Sequence, residues 1–169
     1  LKKEGYEPKH TNNLHIYPTN SATKWLYVRD AIKIGEKIIN DNKLASGDTV
    51  ISTQDPFLTG FAGMRLSKRF LFPFQAQIHT DFLSPHFQKS FLNSIRRLVA
   101  SIVLPKAKGV RVVSPTIFDS LKLYYKNIKA EIDILPVFVD IEKIINDEPK
   151  RNIKANFPQF QFIIVMASR

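Results

Sequence analysis

The segment QAQIHTDF at residues 75–82 decides how this chain folds, because a short apolar strand runs there into a polar His-Thr-Asp turn. Pro73 stands before the strand and Ser84-Pro85 follows the turn, which predicts a strand over 74–79 and a helix after it. The segments on both sides also read as strand, polar turn and helix. This pattern indicates an open α/β domain, in which such turns line the ligand-binding edge of the sheet.

Three predicted helices begin with the same signature, a capping side chain followed by proline. Asp55-Pro56, Ser84-Pro85 and Ser114-Pro115 each place proline at the first helical position, where its missing N–H costs nothing. The helices are predicted over about 56–70, 85–104 and 115–125. The second of them is predicted to bury an apolar stripe and to point its cations away from it. That stripe consists of Phe87, Phe91, Ile95, Leu98, Val99 and Ile102, and the cations are Lys89, Arg96 and Arg97.

Strands and helices alternate along the whole chain. Further strands are predicted over 14–17, 49–53, 110–113, 132–135 and 159–167, and further helices over about 21–42 and 140–146. Alternation of this kind favours right-handed βαβ units. The predicted fold is therefore α/β, a Rossmann-like parallel sheet with helices on both faces.

Composition and charge limit the classes of function. The 169 residues are 44% hydrophobic and 24% charged, as in ordinary globular domains, and no cysteine is present to form disulfides or thiolate metal sites. No apolar run reaches the roughly 18 residues of a membrane span. No secretory signal is recognised, so a cytoplasmic protein is expected. The net charge is +10, and between Phe61 and Arg111 Asp81 is the only acidic residue, so anionic partners are expected unless this is a solvated basic face.

Three polar groups follow predicted strands and are the candidate site. They are Gln54-Asp55, His79-Thr80-Asp81 and Ser114, each at a helix start where free N–H groups favour anions. Capping alone accounts for Asp55 and Ser114. His79 is not needed as a cap, has Asp81 near enough to orient its ring, and suits proton handling near neutral pH, although a role as an ordinary turn residue is the alternative.

Other site chemistries lack their patterns. The four histidines show no metal-ligand spacing with carboxylates, and the sequence has neither a Gly-x-Ser-x-Gly elbow nor a Gly-rich phosphate or dinucleotide loop. The aromatic residues follow core spacing, so a nucleic-acid platform is not expected.

Taken together, these units resemble the N-terminal half of a family 4 glycosyltransferase, a retaining enzyme of the GT-B fold. The resemblance rests on five segments in family order, none of which is specific alone. They are VISTQDP at 50–56, QIHTD at 77–81, GVRVVS at 109–114, ILPVFVD at 134–140 and IVMASR at 164–169.

The resemblance implies sugar transfer from a nucleotide-diphosphate sugar to a glycan or lipid-linked acceptor, with retention at the anomeric carbon. No metal and no other cofactor is implied. It places His79 in the cleft, near the transferred sugar and the acceptor. His79 and Asp81, which can orient its ring, are therefore the predicted catalytic residues. The other residues at the same strand ends, Gln54, Asp55, Thr80 and Ser114, are the predicted substrate-binding residues. The resemblance places Arg169 on the donor diphosphate, where a guanidinium fork matches phosphate oxygens.

The sequence departs from the family at two places. Val137-Phe138 stands where many relatives have Asn-Gly, and Ser168 stands where Gly usually precedes the arginine. The family's opening Gly-rich turn, and the Lys and paired Glu expected after Arg169, are not in the sequence. The expected division is therefore a partial acceptor-side domain over 1–147 and, over 148–169, a linker with the first strand of a donor-side domain, inactive alone.

Partners follow from the resemblance and from the charge. A nucleotide sugar and its acceptor are expected, with peripheral contact to anionic lipid at the inner face of the membrane through the basic helix 85–104. The alternative is a non-enzymatic basic α/β module that binds anionic ligands, a lipid surface or nucleic acid.

Overall fold

The computed structural model describes residues 5–23, 26–147 and 152–166. The chain divides into two compact units, Leu1–Pro136 and Val137–Arg169. The predicted enzyme-domain boundary after residue 147 stays a prediction. In chain order the strands are β1 (Lys9–Thr11), β2 (Leu14–Ile16), β3 (Ile51–Thr53), β4 (Phe74–Ile78), β5 (Gly109–Val112) and β6 (Glu131–Ile134). The α-helices are α1 (Tyr27–Asp41), α2 (Leu58–Phe70), α3 (Phe91–Val103), α4 (Pro115–Tyr124), α5 (Ile141–Asn146) and α6 (Ile153–Asn156).

A parallel sheet of four strands forms the centre of the first unit. Its order is β3-β4-β5-β6, so each strand pairs with the next one along the chain. α2, α3 and α4 connect these strands as crossover helices, which parallel pairing requires. The predicted fold class is confirmed: the protein is α/β, with a parallel sheet flanked by helices in a Rossmann-like arrangement.

One face of the sheet packs against the three crossover helices. Phe74, Ala76 and Ile78 alternate along β4 and are buried on this face, as are Val110 and Val112 of β5. They form one core with buried residues of α3, the segment after it and α4, namely Ala100, Val103, Leu104, Ile117 and Leu121. The sequence predicted helices on both faces, whereas the described crossover helices share one face and α1 packs against α2.

The first strands form a separate hairpin. β1 and β2 pair antiparallel, with His10 opposite His15, around a turn in which Asn12 has φ 47°. The left-handed region suits asparagine, so the Asn12-Asn13 pair explains the turn. The strand predicted over 14–17 corresponds to β2, whereas no strand is predicted over 9–11. α1 was expected to begin near residue 21 and begins at Tyr27.

The burial predicted for the apolar residues of helix 85–104 is wrong for most of them. Phe91, Ile95, Leu98 and Ile102 are exposed, and only Phe87 and Val99 of the predicted set pack against the core. α3 contacts the core instead through Ala100 and Val103 on its opposite side. Because apolar residues lie on both sides of this helix, their spacing alone did not identify the side that packs. No helix in the described part of the chain is long and apolar enough to cross a membrane.

Gly63 allows α2 to approach the sheet closely. A Cβ atom at this position would overlap Thr53 Cγ2 and lie 3.0 Å from Phe74 Cε2, and both neighbours are buried. Overpacking of a core costs about 1–3 kcal/mol, and the better helix propensity of alanine returns only about 1 kcal/mol. Gly63→Ala is therefore expected to lower the free energy of unfolding in urea, measured by circular dichroism.

The control for this prediction is Gly47→Ala. Gly47 lies in an exposed turn, and a Cβ atom added there would have no neighbouring atom within 4 Å, so the replacement should leave the urea midpoint nearly unchanged. Equal midpoints for the Gly63 variant and the parent chain would contradict the tight packing of α2 on β3.

The second unit contains two short helices and no described strand. The helix predicted over about 140–146 corresponds to α5. Asp140 caps it by accepting a hydrogen bond from Lys143 N at 2.9 Å, and Asn152 caps α6 in the same way. The strand predicted over 159–167 is not formed in its described part, residues 159–166. A strand is stable only when a neighbouring strand pairs with its backbone, and no described residue pairs with this segment.

Candidate functional site

The ends of β3, β4 and β5 bring the predicted site residues of the first unit to one edge of the sheet. The register aligns Thr53 with Ala76 and Ile78 with Val112. Gln54, His79 and Ser114 follow these aligned positions within two residues, at the carboxyl edge of the strands. This edge is where open parallel sheets bind ligands.

His79 is exposed at this edge and its ring is held by Gln77. His79 Nε2 lies 3.2 Å from Gln77 Oε1, and the same oxygen accepts a hydrogen bond from Arg111 Nη1 at 3.1 Å. Arginine can only donate, so the amide oxygen of Gln77 must face it. Nε2 of His79 therefore carries the hydrogen, and in the neutral ring Nδ1 is left as the proton acceptor.

Gln77 belongs to a row of polar side chains across the sheet, which we call the polar row: Ser52, Gln75, Gln77 and Arg111. Gln77 Nε2 donates to Ser52 Oγ at 2.9 Å, and Ser52 Oγ donates to Gln75 Oε1 at 3.1 Å. These residues alternate with the buried residues of their strands and so lie on the face opposite the core. The polar row joins three adjacent strands beside His79.

Arg111 connects the polar row to the chain after β6. Its Nε and Nη2 donate to the carbonyl oxygen of Leu135 at 3.2 and 3.1 Å, and Nη2 also reaches that of Pro136 at 3.3 Å. A guanidinium held by several acceptors is a fixed positive charge. The sequence analysis gives Arg111 no role at the site, although its alternation with Val110 and Val112 indicates that it lies on the face opposite the core.

Asp81 does not orient the ring of His79. Its Oδ1 accepts a hydrogen bond from Leu83 N at 3.2 Å, and its carbonyl oxygen accepts one from Ser84 Oγ at 2.9 Å. The carboxylate thus stabilises the turn after β4, and the orienting role expected of Asp81 belongs to Gln77. A catalytic role of Asp81 stays a prediction.

The four predicted substrate-binding residues fall into two groups. Asp55 Oδ1 accepts from Phe57 N at 2.7 Å just before α2, and Ser114 Oγ accepts from Ile117 N at 3.4 Å as the N-cap of α4. Ser114 therefore caps α4 as predicted. The capping role predicted for Asp55 is wrong, because α2 begins at Leu58 with Phe57 as its N-cap, and the Asp55 carboxylate stabilises the turn before the helix instead. Gln54 and Thr80 are exposed, so their side chains are open to a ligand.

An aromatic cluster in the core anchors the turn that follows β4. Phe82 follows the turn and is buried, with its ring centroid 5.4 Å from that of Phe57, 6.4 Å from that of Phe87 and 6.2 Å from that of Tyr125. Burial raises the pKa of Tyr125, and the nearby positive charge of Arg97 offsets part of that rise. His79 is therefore exposed on a turn whose next apolar residue is anchored in the core.

The predicted diphosphate ligand Arg169 lies outside the described residues. Among the residues that are described, no three His, Asp or Glu side chains come together as a metal site. In comparisons with known proteins, no family model matches this sequence and no curated protein matches it.

Proposed function

We propose that this chain is the acceptor-side part of a retaining GT-B glycosyltransferase of the family 4 type. It would move a sugar from a nucleotide-diphosphate sugar to a glycan or lipid-linked acceptor. The observation that carries the proposal is His79, an exposed histidine at the carboxyl end of a central strand whose tautomer is set by Gln77 and Arg111. Such a side chain serves no packing purpose, and its position is the one where ligands meet open sheets.

The chemistry of the edge suits a sugar substrate. Gln54 and Thr80 are exposed and each can both donate to and accept from sugar hydroxyls. With Nε2 of His79 bonded to Gln77, Nδ1 can accept a hydrogen bond from a hydroxyl group of the sugar or the acceptor. Stabilising the leaving diphosphate is left to cations and helix N-termini, and Arg169 is the predicted cation.

A second candidate is the basic α/β module without enzymatic activity. It is favoured by the cations from Phe82 to Phe118, since the ion pairs among the described residues involve Arg29, Lys37 and Arg69 and none of that stretch. A binding module of this kind would bind anionic ligands through these cations, and His79 would have no role in it.

The test is an assay of sugar transfer by the full reading frame that encodes this sequence. We expect release of nucleoside diphosphate from one of a panel of UDP-, GDP- and ADP-sugars, dependent on an acceptor, with the donor's anomeric configuration kept in the product by proton NMR. Background release with every donor, from folded protein that still binds anionic vesicles, would favour the basic module. Downstream of Arg169 the same reading frame should encode a lysine and, later, two glutamates separated by seven residues, as the resemblance implies.

A further inference from the structure

α3 presents apolar side chains to solvent along its outer side. Phe91, Ile95, Leu98 and Ile102 recur at steps of four, three and four residues, which places them on one side of a helix. Together with Leu92 they form the α3 stripe, whose members are between 44% and 80% exposed. The opposite side of the same helix packs on the core through Ala100 and Val103. Scattered exposed apolar residues are ordinary, but a continuous patch of this kind marks an interaction surface.

The α3 stripe lies in a part of the chain that carries only positive charge. Between Phe82 and Phe118 there is no acidic residue, while the basic ones are Lys89, Arg96, Arg97, Lys106, Lys108 and Arg111. Lys89 precedes the helix, and Lys106 and Lys108 follow it, so exposed ammonium groups stand at both ends of the stripe. Lysine side chains at the ends of an apolar helix face can reach lipid headgroups while the apolar side chains insert.

The length of α3 decides whether it could span a bilayer or lie in its surface. Thirteen residues at 1.5 Å each make a helix of about 20 Å, shorter than a hydrocarbon core of about 30 Å. A helix of this length with one apolar side lies in the plane of the membrane surface. A second copy of the chain fits the stripe less well, because a symmetric contact would bring two sets of cations together.

We propose that α3 is an interfacial helix that inserts the α3 stripe into the surface of a bilayer containing anionic phospholipid. This role is independent of sugar transfer. It differs from a contact by charge alone, because the apolar side chains of the stripe supply insertion and the lysines supply the preference for anionic headgroups.

The test is sedimentation of the chain with unilamellar vesicles of phosphatidylcholine, with and without phosphatidylglycerol. The chain is expected to sediment with the anionic vesicles, less so as salt is added, and to stay in solution with phosphatidylcholine alone. Phe91→Ser with Leu98→Ser is expected to reduce the bound fraction at least tenfold. The matched control is Leu14→Ser with Leu123→Ser, two exposed leucines on β2 and α4, and it should bind like the parent chain.

Charge is tested separately. Lys106→Glu with Lys108→Glu should weaken binding to anionic vesicles, because these lysines stand at the end of the stripe. Lys126→Glu with Lys129→Glu, at two exposed lysines between α4 and β6, should have a smaller effect. Circular dichroism shows that each variant is folded.

Three results would overturn the proposal. The stripe variant could bind anionic vesicles as well as the control does. The parent chain could be a dimer by sedimentation equilibrium and fail to bind vesicles, with the stripe variant a monomer, which would make the partner a second copy. The chain could instead bind a DNA duplex in a salt-dependent way that the stripe variant preserves, with no vesicle binding, which would assign the charge to nucleic acid.

Discussion

Replacement of Phe82 by alanine is expected to lower the free energy of unfolding by about 3–5 kcal/mol. Phe82 is 1% exposed and packs against the rings of Phe57, Phe87 and Tyr125. These rings come from the start of α2, from the turn before α3 and from the end of α4, so the cavity left by alanine would be lined by three separate elements. Such a site cannot close without moving a helix, and this places the cost in the upper part of the range for large-to-small core changes.

Phe91→Ala is the matched control, since it removes the same atoms from an exposed site on α3. Exposed substitutions away from special features change stability by less than about 0.5 kcal/mol. Urea unfolding followed by circular dichroism measures both variants. Similar losses for Phe82→Ala and Phe91→Ala would mean that the outer side of α3 is buried, which would contradict the orientation of the helix and, with it, the α3 stripe.

The sheet could be predicted from sequence because its strands are short segments with apolar residues at alternate positions, bounded by strong breaks. Pro73 sets the start of β4, and Ser114-Pro115 sets the start of α4. These two signals are local, and the structure keeps them. The helix start predicted at Ser84-Pro85 is wrong, because α3 begins at Phe91. The order of the strands could not be predicted in this way. Crossover helices leave few topologies open, but the structure decides among them.

The face of α3 that packs could not be predicted, because that choice depends on neighbours distant in sequence. The apolar residues at 91, 95, 98 and 102 have the spacing of one side of a helix. Val99, Ala100 and Val103 also have helical spacing, on a different side. Ala100 and Val103 pack because small side chains let the helix approach the sheet. The bulkier side chains of the α3 stripe remain exposed to solvent.

The sequence predicts site residues in the turns after the strands. The hydrogen-bonded side chains of the polar row, however, lie within the strands. Sequence reasoning found His79 from its place in the turn and missed Gln77, because glutamine in a strand reads as a solvent-facing residue. The partner of Gln77 is Arg111, 34 residues further along the chain. Only the parallel register of β4 and β5 brings those two side chains together.

Replacement of His79 by alanine in the full reading frame is expected to lower sugar transfer by about 10²-fold or more, the usual range for a positioned proton-transfer group. The thermal unfolding midpoint should hardly change, because the ring is exposed and outside the core. His86→Ala is the control, since His86 is an exposed histidine seven positions away and is not a member of the polar row. Initial rates of nucleoside diphosphate release measure all variants.

Gln77→Ala tests whether transfer depends on the orientation of the His79 ring as well as on its presence. It keeps His79 but removes the acceptor of Nε2–H, so either tautomer becomes available and Nδ1 is no longer the only free acceptor. We expect a loss of transfer smaller than that of His79→Ala, together with a changed pH profile of the rate. Equal rates of transfer by the parent protein and His79→Ala would contradict the role proposed for the histidine. A loss in His79→Ala without any effect of Gln77→Ala would keep His79 at the site and show that the substrate, rather than the polar row, orients its ring.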